Sequence, residues 1–342
     1  MSRQSPTNPP GVRKATNPEA IKGWFDKYIA APKYKGGQKL RFTTSDDVRL
    51  HAVRLAGPVG CGVTVVLAHG FANWHRHPKI HEFATMLSRY ANVLILDMRG
   101  HGFSKGTSTL GALEYLDVAA AVEQVPDTDA LVLLGTSMGS AAAVLYAGTA
   151  AHGDGGRPAD AVIAISGPAW WGGRDRPKAV GRVLELAESR LMRTALRYLM
   201  RVRIAGFRGD GRIDPVTVVG EIAPAPLVLI HDKKDWYFGA DQAEAMLSAA
   251  GPTASLWWMK GGHATDLLSE ELCDRIAREV VEPAAALQRE RLVGLANLEV
   301  GIEGDAAVVV DVQPAPLDVP DAAVIGAEPA VDGPDHAAVG DH

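Results

Sequence analysis

Short runs of apolar and β-branched residues alternate along this chain with longer stretches of helical length. After a hairpin-like pair at residues 39–44 and 48–55, the short runs fall at 63–67, 93–96, 131–134, 161–166, 227–230 and 255–259. Several are almost wholly apolar, the composition of strands covered on both faces. The stretches at 78–90, 111–125, 138–150, 241–250 and 265–281 are rich in Ala, Leu and Glu and predict helices. Such alternation predicts an α/β fold with a mostly parallel central sheet of about eight strands and helices on both faces. The interval 166–227 is too long for one crossover. It carries a helical pattern over 177–202, with Val180, Val183, Leu184, Ala187, Leu191, Ala195 and Leu199 on one stripe. It reads as an insertion at about 168–215, a small helical lid beside the mouth of a site.

Composition sets the limits of this domain. The 342 residues are 47% hydrophobic and 22% charged, which fits a folded globular protein. Residues 1–20 are rich in Pro, Asn and Ser and predict a disordered arm, and 296–342, an acidic Ala/Val/Pro-rich stretch, predict a disordered tail, leaving 21–295 as the domain. The net charge is −5, and residues 301–342 hold nine acidic residues with no Lys or Arg, so the rest of the chain stands at +4. That is no footprint for nucleic acid. Arg190, Arg193, Arg197 and Arg201 form a positive stripe on the inserted helix. It reads as a solvated face or as a weak contact for an anionic head group or membrane surface. Two distant cysteines, Cys61 and Cys273, give neither a disulfide framework nor a Cys-rich zinc site. The start lacks the apolar run of ~7–15 residues of a secretory signal, and no run approaches the ~20 residues of a membrane span. The expectation is a cytoplasmic protein with no transmembrane segment.

The chemistry concentrates where the run 131–134 leads through Gly135-Thr136-Ser137-Met138-Gly139 into an Ala-rich helix. A G-x-S-x-G turn between strand and helix lifts a serine oxygen clear of the sheet. The amide after it, on Met138, can donate to an oxyanion. A serine nucleophile needs a base, and the base needs an orienting acid. Asp235 follows the run 227–230 and His263 follows 255–259, which gives the order Ser, Asp, His.

With these residues in hand, the chain resembles the α/β-hydrolase family over roughly residues 39–281. His69-Gly70-Phe71 is similar to the family's oxyanion loop, which implies a second backbone donor on Phe71. Asp97-Met-Arg-Gly-His-Gly-Phe-Ser104 is similar to a family turn that shapes the site, GTSMG supplies the nucleophile, and Gly262-His263 the base. The arrangement further resembles uncharacterised actinobacterial members with an Arg-rich segment before the acid-bearing strand. The acid motif departs from the family form: His231-Asp232-Lys233-Lys234-Asp235 makes Asp232 a rival to Asp235, which holds the family's position. The glycine that often follows G-x-S-x-G is Ser140 here. The resemblance implies a serine hydrolase of carboxylic esters or thioesters working through an acyl-enzyme. Members with an aspartate nucleophile, the haloalkane dehalogenases and epoxide hydrolases, are disfavoured by Ser137. Acyl transfer by the same residues, or a silent ligand-binding relative, is the alternative. The expected partner is a small ester or acyl compound with an apolar group, with no cofactor and no metal.

Other signals have plainer readings. His75, His77 and His81 could hold a metal, but a loop after an oxyanion turn more often lines a mouth. Trp170 and Trp171 either wall an acyl pocket or pack the lid on the body, and one each of Trp170/Trp171 and Trp257/Trp258 is expected to face the core. Trp236, Tyr237 and Phe238 are expected to hold the acid loop in place.

Overall fold

Strands β1 (Gln38–Thr43), β2 (Arg49–Leu55), β3 (Val63–Ala68), β4 (Asn92–Asp97), β5 (Ala130–Thr136), β6 (Ala161–Ile165), β7 (Leu227–Asp232) and β8 (Ala254–Met259) make one sheet. Their order is β1-β2-β4-β3-β5-β6-β7-β8. From β3 to β8 the pairings are parallel, and β2 runs antiparallel to both β1 and β4. β3, β5, β6 and β7 are buried at every position. Both faces are covered, so each strand needs apolar side chains on both sides and its sequence is continuous rather than alternating. The computed structural model describes residues 30–150, 156–171, 189–204 and 212–304. The predicted arm 1–20, the tail from residue 305 and the lid positions 172–188 and 205–211 lie outside the described residues.

One face of the sheet is covered by α1 (Pro78–Leu87), which buries Ile80, Phe83 and Leu87 against Val65, Val93 and Ile95. The other face is covered by α2 (Glu114–Val122) and α3 (Met138–Ala150). α3 is buried almost all round, which explains its Ala-rich, non-amphipathic sequence: small side chains let the helix lie close to the sheet. α4 (Arg190–Leu199) belongs to the insertion, and α5 (Ala240–Ala249) places Met246 on the α3 side. The segment 265–281, expected as one helix, is divided. A 3-10 turn over Ala264–Asp266 precedes α6 (Glu270–Ile276), whose N-cap Ser269 accepts from the Leu272 amide at 3.2 Å. A π-turn over Ala277–Val281 then runs into α7 (Glu282–Gly304). A serine oxygen that satisfies a first-turn amide starts a new helix at the point where it stands. Among the described residues, no helix is long and apolar enough to cross a membrane.

The insertion departs from its predicted pattern. Among the described residues of 177–202 the helix spans Arg190–Leu199, and Leu191, assigned to the packing stripe, is 81% exposed. Arg201 leaves the helix with φ of 57°, so the four-arginine stripe is broken. Its guanidinium lies 5.4 Å over the Trp74 ring and 5.0 Å over Phe103. Beyond it the backbone is fixed: Ser108 N donates to Arg203 O at 2.7 Å and Arg203 N to Gly100 O at 2.8 Å. Buried Leu110, Val202 and Ile204 form a small cluster with Phe71, Ala72 and Leu196. This cluster ties the end of the insertion to the loop after β3.

Candidate active site

Ser137 sits at the sharp joint between β5 and α3 with φ of 51°, a left-handed conformation that costs a non-glycine residue about 1–2 kcal/mol. Close packing holds it there. A Cβ on Gly135 would lie 2.3 Å from Gly139 O, and one on Gly139 would lie 2.2 Å from Ala68 O. Both glycines of G-x-S-x-G are therefore required by the approach of β5, α3 and β3. The Ser137 amide donates to Ile165 O at 2.8 Å, which anchors the turn to β6.

His263 Nε2 lies 2.9 Å from Ser137 Oγ, and His263 Nδ1 lies 2.7 Å from Asp235 Oδ2. The Asp235 side chain is fully buried, and its Oδ1 accepts from Tyr237 N at 2.8 Å and Phe238 N at 3.1 Å. Burial by itself raises the pKa of this carboxyl. The His263 ring and the two amides outweigh that effect and hold it below the usual carboxylate value. An ionised Asp235 accepts Nδ1–H, which leaves Nε2 of a neutral ring free to accept from the serine hydroxyl.

The rival acid is occupied elsewhere. Asp232 Oδ2 accepts from Gly261 N at 2.7 Å and Gly262 N at 2.8 Å, and Oδ1 from Lys234 N at 2.8 Å. Asp232 faces Met259 across the β7–β8 pair, so its carboxylate reaches the turn that carries His263. Asp235, three residues on, reaches the ring itself. Ser166, which sequence reasoning passed over, adds a third support by accepting from Ala264 N at 3.0 Å. It too has a positive φ, 49°, directly after β6. Its only sequence signal was a serine before glycine at the end of a buried strand.

The loop after β3 is fixed by two buried histidines. His69 donates from Nδ1 to Gly70 O at 2.8 Å and accepts at Nε2 from Met98 N at 3.0 Å. His101 donates from Nδ1 to Arg99 O at 2.9 Å and accepts at Nε2 from Ala72 N at 3.1 Å. Gly70 N also donates to Thr136 Oγ1 at 2.9 Å. Each ring bridges a donor and an acceptor, which only the neutral tautomer can do. Burial lowers their pKa values from 6.5 to about 3 for His69 and about 4 for His101. Below pH 6.5 the unfolded chain binds protons that the folded chain refuses, so stability falls as the pH drops toward 4. Between pH 6.5 and 5 the expected loss is about 2 kcal/mol per ring. Urea melts across this range check it. His101→Gln, which shortens the titrating list, should flatten the pH slope, and an unchanged slope would rule the histidine out.

Ser137 opens into a cavity of about 280 Å³ that is walled by Phe71, Leu110, Met138, Trp171, Trp236 and Phe238. Phe71 and Met138, the expected oxyanion donors, thus both border the space above the serine. Trp171 lines the cavity and Trp170 does not, while both pack partly against the α3-side core. Trp171 is held by Nε1–H to Ile213 O at 3.1 Å and by its amide to Asp214 Oδ1 at 2.8 Å. Trp257 is buried in the core on the other face. Tyr237 and Phe238 lie against the His263 ring, with centroids 4.5 and 5.7 Å away, while Trp236 is 61% exposed at the mouth.

The sequence profile of the alpha/beta hydrolase family matches residues 65–326. The chain belongs to that family. The uncharacterised protein YfhR of Escherichia coli O157:H7 is 26% identical over 267 residues, covering 75% of this chain and 83% of that protein. Among solved structures, the esterase Pf2001 of Pyrococcus furiosus superposes with a TM-score of 0.56 at 20% identity, covering 73% of this chain and 96% of its own. The α/β hydrolase GrgF of Penicillium sp. sh18 gives 0.58 at 16% identity, covering 74% and 100%. These structures share the hydrolase fold with this chain. The relatives come from Escherichia, Pyrococcus and Penicillium, so they carry the family and not the narrower actinobacterial likeness.

The histidines of the loop after β3 do not converge. His75 turns its Nδ1 to Asp97 Oδ1 at 2.9 Å, and His81 stacks on Tyr34 with centroids 4.1 Å apart. Among the described residues, the group that brings three ligand-type atoms within 4.8 Å of one another is His51, His75 and Asp97.

Proposed function

We propose that this α/β hydrolase cleaves a small carboxylic ester or thioester through an acyl-enzyme on Ser137. The single observation that carries the reading is the unbroken chain of short contacts from Ser137 Oγ through His263 to Asp235. His263 Nε2 takes the hydroxyl proton as Oγ attacks the acyl carbon, and Asp235 stabilises the imidazolium that forms. The oxyanion is held by the Phe71 and Met138 amides, in a cleft where fixed dipoles need no reorganisation. His263 then returns the proton to the leaving alcohol or thiol. Water attacks the acyl-serine next, with His263 again as base. These steps need no cofactor. The apolar walls supplied by Phe71, Leu110, Trp171 and Phe238 suit an acyl or aromatic group. Two free cysteines are in keeping with a cytoplasmic setting.

The test is labelling of the purified chain by a fluorophosphonate, run beside p-nitrophenyl esters of graded acyl length. Stoichiometric labelling and turnover with a short- or medium-chain optimum are expected. Trp171→Ala, which widens the cavity, should move the optimum to longer chains. A folded protein that neither labels nor turns over any ester sinks the reading. Added alcohols and amines distinguish hydrolysis from acyl transfer through the products that form.

A further inference from the structure

The loop after β3 has two sides. Phe71 and Asn73 face the catalytic cavity, and His75 and Arg76 line a second cavity of about 660 Å³. The β1–β2 register explains what surrounds it. Lys39 and Arg41 alternate along β1, Arg41 pairs across with His51 and Thr43 with Arg49, and His51 pairs in turn with Asp97 on β4. One face of the edge hairpin therefore presents Lys39, Arg41, Arg49 and His51 together. Lys33 and Arg76 arrive from the opposite wall, where Ala31 N donates to Arg76 O at 2.8 Å and Tyr34 Oη to His75 O at 2.7 Å. Lys105 completes the ring, placed by its amide on Arg49 O at 2.8 Å.

Six cationic side chains thus line this cavity, Lys33, Lys39, Arg41, Arg49, Arg76 and Lys105, and the lining includes no carboxylate. Among the described residues none of the six is ion-paired; the nearby carboxylate of Asp46 is taken by Arg99 at 2.8 Å. Asp97, below the floor of His51 and His75, is fully buried, and its oxygens already accept from His75 N, His75 Nδ1 and Phe103 N at 2.8–3.0 Å. That saturated acid and the surrounding cations argue against a metal ion at His51, His75 and Asp97. Like charges gathered in a concavity focus their field outward and favour a counter-charge that enters it. The six cations come from two strands and three loop segments and carry more charge than one phosphate neutralises, and a concave space of this size suits a small ligand rather than a flat surface.

We infer that this second cavity binds the diphosphate group of a small molecule. The inference does not rest on the ester-cleaving reading, because its test is binding. Isothermal titration of the full chain with inorganic pyrophosphate should show one site, weakened by added NaCl. Arg41→Glu/Arg49→Glu, both exposed on the edge hairpin, should weaken it at least about tenfold. Arg41→Gln/Arg49→Gln, a gentler pair, guards against a folding defect, with melting curves as the control. Ser137→Ala should bind as the wild type does. Orthophosphate is expected to bind more weakly than pyrophosphate. ADP binding tighter than pyrophosphate assigns a nucleotide as the source, with Phe103 adding contact, and equal affinity assigns the diphosphate alone. No heat at millimolar pyrophosphate, or heat undiminished in both double variants, overturns the proposal. So does retention on phosphatidylserine vesicles that pyrophosphate fails to displace, which would make this face a membrane contact.

Discussion

Replacing Ser137 by Ala is expected to lower kcat for a p-nitrophenyl ester by about four to six orders of magnitude and to abolish fluorophosphonate labelling. His263→Ala should cost a similar amount, and the double variant little more than either single one. A nucleophile and its base work as one unit, so once one is lost the other contributes nothing further. The fold should survive both changes. Ser137 holds a left-handed backbone that alanine adopts at comparable cost, and the turn is packed by Gly135, Gly139 and the bond to Ile165 O, none of which depends on Oγ. Steady-state kinetics with melting curves check this. A Ser137→Ala protein that retains more than about a hundredth of its activity would place the nucleophile elsewhere.

The two aspartates should separate sharply. Asp235→Asn keeps the shape of the loop but offers His263 Nδ1 an amide, so the ring no longer has a dependable acceptor to fix its tautomer, and kcat should fall about 10⁴-fold. Asp232→Asn should leave kcat within about tenfold and lower Tm by several degrees. It replaces a carboxylate that accepts from three backbone amides, each bond to a charged group contributing roughly 1.5–3 kcal/mol. The split between kcat and Tm is the measurement. Equal activity losses in the two variants would return Asp232 to the role of acid.

The strands were legible because their apolar runs are bounded by turns and buried on both faces. β3, β5 and β7 begin at or within a residue of the expected position and gain a residue or more at their far ends. The extra residues are the instructive ones. Asp232 extends β7 by pairing with Met259, so a residue that looks in sequence like part of the acid loop is the last of a strand. The 265–281 stretch misled because its composition is helical throughout, while Ser269 starts a fresh helix inside it. The inserted helix misled for another reason. Arg201 has two aromatic rings, Trp74 and Phe103, within reach, and cation–π contact with both sets its place after the chain has left the helix.

The sequence by itself determined the class of fold, the turn that exposes Ser137, and the order in which Ser137, Asp235 and His263 appear. Those features depend on local periodicity and on steric demands within a few residues. Tertiary structure alone decided which aspartate meets the histidine, since the choice depends on how far β7 pairs with β8. It also decided that Trp171 rather than Trp170 faces the cavity. Two further outcomes of the fold were the neutral histidine bridges at His69 and His101 and the six cations drawn around one hollow from strands and loops far apart in the chain. Burial and cross-strand register are sums over distant segments, and no window of sequence contains them.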